Sequence, residues 1–144
     1  MAKDLNVFDK EYGLLINGAW TSPGTLLDSY NPANGETLAK FTDASDADVD
    51  AAVAAAQEAF KTWRKTTTTE RAAILNKIAD VIDENLELFA LQETLDNGKP
   101  IRETRAADIP LASDHFRYFA SVIRGEEGTA TQLDSEDLYI VLRE

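Results

Sequence analysis

Apolar residues change their spacing along this chain, and the change divides it into three stretches. Up to about residue 44 they come in short runs separated by turn residues. Leu14-Leu15-Ile16 precedes Asn17-Gly18, and Ala19-Trp20 follows. Asn-Gly tolerates the positive φ angles of a type I′ turn, so this segment predicts a hairpin. A second strand pair is predicted at Leu27–Tyr30 and Thr37–Phe41, with Asn31-Pro32-Ala33-Asn34-Gly35 as its turn. Both pairs are too small to stand alone and require cover from elsewhere.

From residue 45 the apolar period lengthens to three and four, the spacing of helices. Ser45 caps the first of them with Asp48 three residues on. Its stripe is Val49, Ala52, Val53, Ala56, Phe60 and Trp63, and Asp46, Asp48, Asp50 and Glu58 lie toward its N-terminal half, where negative charge suits the dipole. The second helix is expected to take Thr69 as its cap, with Ile74, Leu75, Ile78, Val81 and Ile82 on one side. Asn85 is a point of interruption before Leu88, Leu91 and Leu95, and Asn97-Gly98 ends the run, glycine being the usual left-handed stop. Pro100 suits the first turn of a third helix reaching about Arg124, with Ile101, Ile109, Ala112, Phe116, Phe119 and Ile123 as its stripe. Pro110, inside that helix, is expected to kink it. Gly125 and Gly128 release the chain into a polar connection, and Asp137–Leu142 reads as a closing strand.

The pattern therefore predicts an α+β chain in three stretches: β-hairpins over residues 1–44, a three-helix pack over 45–124, and a connection with a final strand over 125–144. Its 144 residues, 44% hydrophobic and 28% charged, describe a globular chain and exclude a disordered one. A chain of this length ordinarily buries roughly 68–70% of its unfolded surface. The net charge of −12 repels phosphate and anionic lipid, so nucleic acid and membrane surfaces are poor partners. No apolar run approaches the roughly 20 residues that span a bilayer, and Met1–Gly13 lacks the apolar core of a secretory signal. With no cysteine in the sequence, disulfides and thiolate nucleophiles are excluded from these residues, which fits a cytoplasmic setting.

Catalytic chemistry is thin. The seven glycines form neither GxGxxG nor GxxxxGK[ST], so no phosphate-cradling loop is predicted. His115 has Asp108, Ser113 and Asp114 nearby in sequence, but a lone imidazole makes a poor metal or triad site and reads as a histidine on a helix flank. The carboxylates of Asp43–Asp50 lack the glycine and spacing of an EF-hand loop and read as an acidic helix start. Phe116, Tyr118 and Phe119 could line a pocket, although their helical spacing favours a place in the core.

Three segments carry a resemblance. Leu15-Ile16-Asn17-Gly18-Ala19-Trp20, Asn31-Pro32-Ala33-Asn34-Gly35-Glu36 and Glu93-Thr94-Leu95-Asp96-Asn97-Gly98-Lys99-Pro100 resemble, in this order, the opening of the NAD(P)-dependent aldehyde dehydrogenase superfamily. Ala59-Phe60-Lys61-Thr62-Trp63, Glu70-Arg71 and Phe116-Arg117-Tyr118-Phe119-Ala120 agree with it, so the likeness runs from about Tyr12 to Glu144. It implies part of an aldehyde dehydrogenase fold without its Rossmann-like core. Such enzymes oxidise aldehydes to carboxylates with NAD or NADP, through a cysteine thiolate and a glutamate-activated water. The cysteine, the oxyanion-binding asparagine, the ribose-holding lysine and the glycine-rich turn all belong downstream, so no catalytic and no cofactor-binding residue is assigned here, and neither NAD nor NADP is expected to bind these residues alone. Two assignments do carry over. The resemblance implies a structural Na⁺ or K⁺ ion held by the carbonyls of Ser29 and Tyr30 and the side chain of Asp96, with Asp96 as a local cap or pair the equal alternative. It also places Ala107, Asp108 and Leu111 along an aldehyde entry tunnel, and the final strand in an oligomerisation sheet, whence self-association.

Three readings compete: a catalytically incomplete N-terminal part of such an enzyme, a stand-alone interaction or regulatory module reusing the fold, and an unrelated helical scaffold. The last requires three motif matches to be accidents.

Overall fold

The structure, a computed structural model, describes residues 7–8, 11–22, 24–125 and 127–141. The readings placed on Met1–Asn6 and on Leu142, Arg143 and Glu144 lie outside these residues. The described chain is mixed α/β, with small sheets flanking a group of helices.

The first hairpin forms as the Asn-Gly pair requires. β2 (Leu15–Ile16) and β3 (Ala19–Trp20) pair antiparallel across Asn17 at φ 52° and Gly18 at φ 75°. β4 (Leu26–Tyr30) and β5 (Thr37–Thr42) pair antiparallel, with a register shift between Ser29 and Tyr30. A third strand, β1 (Glu11–Tyr12), runs parallel to the far edge of β5. Two residues show no alternation, so its sequence carried no strand signal.

α1 (Asp46–Trp63) starts at the predicted capping box: Asp48 N–H donates to Ser45 Oγ, and the Asp48 carboxylate accepts from Ser45 N–H. α2 (Thr68–Glu84) corrects the expected cap. Thr67, not Thr69, is the cap, because Glu70 must stand three residues past it to accept the cap's N–H, at 2.7 Å. Four consecutive threonines blurred that register. Asn85, at φ −114° and ψ 21°, does separate α2 from α3 (Leu86–Asn97), and Gly98 stops α3 at φ 83°.

The third predicted helix is three pieces: α4 (Ile101–Glu103), a π turn (Thr104–Asp108) and α5 (Ile109–Val122). Pro110 has no N–H for the ladder, and the wider turn just before it, with Ile109 N–H donating to the Thr104 carbonyl, absorbs that loss in place of a simple kink. β6 (Thr129–Gln132) and β7 (Leu138–Val141) then pair antiparallel. The expected polar connection thus contains a strand, and it partners the final one along one edge.

Packing centres on α2 against α5, with α3 joined to the π turn. Arg117 of α5 ties the first pair together by ion pairs to Asp80 at 3.0 Å and Asp83 at 2.7 Å. Among the described residues, every buried hydrophobic one is an alanine: Ala39, Ala72, Ala79, Ala90 and Ala120. Small residues let helices approach closely, but the large side chains that normally fill a core stay at least partly open to solvent. The aromatic group is corrected in part: Phe116 is half-buried, whereas Tyr118 and Phe119 pack edge to face at 5.3 Å, yet are 58% and 57% exposed and belong to no core here.

Candidate functional site

The two turns singled out by resemblance meet in space. The buried Asn31 organises the first: its Oδ1 accepts from Ala33 N–H at 2.9 Å, and its carbonyl accepts from Gly35 N–H at 2.7 Å. Gly98 lies against Pro32 of that turn so closely that a Cβ added there would stand 2.8 Å from Pro32 Cγ. Beside this contact, Ser29 Oγ donates to Asp96 Oδ1 at 2.6 Å across 67 residues of sequence. Asp96 thereby bridges α3 to β4. Tyr30 is adjacent, at the register shift, and its hydroxyl donates to Asp28 at 3.3 Å. A bulge re-aims the backbone groups around it, and oxygen donors suit a hard monovalent cation. Among the described residues no three His, Cys, Asp or Glu side chains gather as a metal cluster.

Ser29 and Asp96 also line one end of a cleft of about 590 Å³ between the three-stranded sheet and the helices. Tyr12, Phe41 and Phe89 give it an aromatic wall, and Ile109 and Ala112 of α5 close the other side. Nothing in the linear sequence marked this cleft, because its walls come from β1, β4, β5, α2, α3 and α5.

The three tunnel positions fall differently. Ala107 and Asp108 lie in the π turn and Leu111 in the first turn of α5, and none of them lines the cleft. Ala107 and Leu111 face solvent. Asp108 accepts from Lys99 Nζ at 2.9 Å, and that carboxylate holds the lysine above its usual pKa. Lys99 is a residue the sequence reading passed over, since a pair nine residues apart across a loop and a π turn has no periodic signature. Thr104, fully buried at the start of the π turn, was missed for the same reason. Its hydroxyl lies 2.9 Å from both the Ala90 carbonyl and Thr94 Oγ1, joining the π turn to α3. His115 is exposed on α5, as a helix-flank histidine should be.

A dinucleotide's pyrophosphate needs a helix N-terminus with open N–H groups. α1 is the one helix here that follows directly from a described strand, and its N-terminus already holds the Asp48 carboxylate. Hydrogen bonds from the Ser45 hydroxyl and backbone keep Asp48 below the ordinary carboxylate range, hence charged against an incoming phosphate. Glu70 fills the start of α2 in the same way, held low by the backbone and hydroxyl of Thr67.

Comparison with known proteins gives this geometry its setting. The sequence model of the aldehyde dehydrogenase family matches residues 20–144. Acetaldehyde dehydrogenase 2 of Cupriavidus necator is 47% identical over 135 residues, which are 92% of this chain and 27% of that protein. The crystal structure of an NAD-dependent aldehyde dehydrogenase from Sinorhizobium meliloti superposes with a TM-score of 0.89 at 32% identity, over 100% of this chain and 30% of that one. An NAD⁺ complex of an aldehyde dehydrogenase from Bacillus cereus gives a TM-score of 0.85 at 37% identity, over 90% of this chain and 27% of that one. The chain thus spans about 27% of the length of the curated relative it matches. With its motifs juxtaposed in three dimensions and its fold shared with these enzymes, this chain belongs to the aldehyde dehydrogenase family.

Proposed function

We propose that these residues are the N-terminal part of a cytoplasmic enzyme that oxidises aldehydes to carboxylates with NAD or NADP, and that they are catalytically incomplete by themselves. The observation that carries the reading is the absence of any cysteine from the 144 residues, in a family whose chemistry runs through a thiolate. The Bacillus cereus relative binds NAD⁺, which supports that cofactor for the whole enzyme. The test mixes the purified chain with NAD or NADP and a panel of aldehydes. No reduced nicotinamide should form above a buffer control, and calorimetry should register no micromolar binding of either cofactor. Turnover, or such binding, would favour the stand-alone module instead.

Within this reading, Ser29, Tyr30 and Asp96 supply part of a Na⁺ or K⁺ site, and Ala107, Asp108 and Leu111 belong to the aldehyde's approach. The hydrogen bond from Ser29 to Asp96 supports the first, because it holds the carboxylate beside the bulge. Replacing Asp96 by Ala should abolish any difference in melting temperature between K⁺ and choline buffers. If wild type and variant both melt alike in the two buffers, Asp96 is a bridge to Ser29 and no cation ligand. Self-association through the β6–β7 hairpin is the remaining part of the proposal.

A further inference from the structure

We propose that Asn17 is a deamidation site, at which the chain converts its own backbone to isoaspartate, while the fold protects Asn34 and Asn97 in the same dipeptide. Three Asn-Gly pairs occur in the sequence: Asn17-Gly18, Asn34-Gly35 and Asn97-Gly98. Asparagine is chemically labile, and a following glycine has no Cβ to keep its nitrogen away from the side-chain amide. At Asn17 the Gly18 nitrogen gives up its proton to hydroxide and bonds to Asn17 Cγ. The Cγ–Nδ2 bond breaks, ammonia leaves with a proton taken from water, and a five-membered imide remains. Water then opens the imide at one of its two carbonyls. Opening at Cγ gives aspartate. Opening at the main-chain carbonyl gives isoaspartate, in which the backbone runs through the former side chain. One water is taken up and one ammonia released, with no change of oxidation state.

The three pairs differ in what must break first. Gly35 N–H donates to the Asn31 carbonyl at 2.7 Å. The Asn34 amide is held at both atoms, Nδ2 donating to Glu36 Oε2 at 2.8 Å and Oδ1 accepting from Glu36 N–H at 3.0 Å. Gly98 N–H donates to the Thr94 carbonyl at 3.0 Å, Asn97 Nδ2 donates to Glu93 at 3.1 Å, and Gly98 lies against Pro32. At both pairs the attacking nitrogen and the amide are tied down. Neither the Asn17 side chain nor the Gly18 N–H has a hydrogen-bond partner among the described residues. Both residues are exposed, and a Cβ added to Gly18 would meet nothing within 4 Å. Ring closure requires the turn to open for an instant, and β2 and β3, of two residues each, form a hairpin that opens at little cost. Isoaspartate adds a backbone atom to this two-residue turn, so the pairing of Leu15 with Trp20 and Ile16 with Ala19 is lost. It also sets a new carboxylate beside Ala52, Ala55, Ala56 and Ala59 of α1, which share a groove with the hairpin tip. The site works as a clock that loosens the first hairpin as the chain ages.

The test ages the 144-residue chain in mildly alkaline heavy-oxygen water, with and without concentrated urea. The three Asn-Gly peptides are followed by chromatography and mass spectrometry. In the folded chain the Asn17 peptide should take up heavy oxygen at least about tenfold faster than the other two, as aspartate and isoaspartate. In urea the three rates should draw together, because the hydrogen bonds at Asn34 and Asn97 are gone. Equal rates in the folded chain, or an unchanged ratio in urea, would overturn the proposal. The isoaspartyl fraction should also exchange its Thr21 amide, bonded to the Leu14 carbonyl at 2.8 Å, faster than fresh chain does. Fresh Asn17→Asp, with the charge but not the extra backbone atom, should exchange it at the rate of fresh chain. Unaltered exchange in the isoaspartyl fraction, or equally fast exchange in Asn17→Asp, would show that the backbone change does not loosen the hairpin and that the clock is wrong.

Discussion

Gly98 shows how one position can be held by two independent constraints. Its φ of 83° disfavours any side chain, and a Cβ would also press on Pro32 at 2.8 Å. The first constraint alone costs about 1–2 kcal/mol for a residue other than glycine. Pro32 is a ring within an ordered turn and yields little. Gly98→Ala should therefore destabilise the chain by at least about 1 kcal/mol, read as the urea midpoint. The Ser29–Asp96 contact should loosen with it, because both contacts join the same two turns. Gly35→Ala is the companion measurement: it has a similar φ of 75° with open space around it, so it should cost less. Equal losses at the two positions would mean that the Pro32 contact contributes nothing.

Among the elements, α2 and α5 hold together by shape and by charge in different proportions at different pH. Ala72, Ala79, Ser113 and Ala120 give the close approach, and Arg117 sits across it between Asp80 and Asp83. Hydrogen bonds from Ser113 and then from Arg117 hold Asp83 below its ordinary value of 3.8. The single Ser113 proton also has the Pro110 carbonyl as an acceptor at 3.0 Å, so the guanidinium is the firmer partner. A lowered carboxylate pKa contributes stability that is present above the unfolded value and lost as pH falls through the folded one. Stability should thus decline below about pH 4 as Asp83 gains its proton. Arg117→Met should lower the melting temperature by a few degrees at neutral pH and flatten that acid limb. An unchanged acid limb would assign the loss to other carboxylates.

The whole molecule is less closed than its length suggests. Its unfolded chain would expose roughly 22,900 Å², so 11090 Å² of folded surface means that about half is buried, not the roughly 68–70% usual for this size. β7 illustrates the consequence. Leu138, Tyr139, Ile140 and Val141 alternate faces, and all four are exposed, between 39% and 63%. β6 satisfies one edge of the strand. Its apolar faces remain, each large side chain being worth about 1.5–3 kcal/mol if fully buried. Sizing with light scattering should show dimers or larger species, and Ile140→Lys should shift them toward monomer. A wild-type monomer with a sharp thermal transition would mean that the hairpin needs no second copy.

What the sequence determined by itself is whatever depends on neighbours a few residues apart. The Asn17-Gly18 turn, the Ser45 box, the break at Asn85 and the Gly98 stop are local events, each fixed by backbone sterics and one or two hydrogen bonds. Where local signals repeated, as in the four threonines before Glu70, the register slipped by two. The family was legible too, since its motifs are linear. Tertiary structure alone decided that Ser29 meets Asp96 and Gly98 meets Pro32, that Lys99 holds Asp108 beside a π turn, and that the stripe of α1 finds no cover. Periodicity says which face of a helix is apolar, because side-chain direction follows from the helix itself. Whether that face is buried depends on what packs against it, and that is set by surfaces brought together from distant parts of the chain.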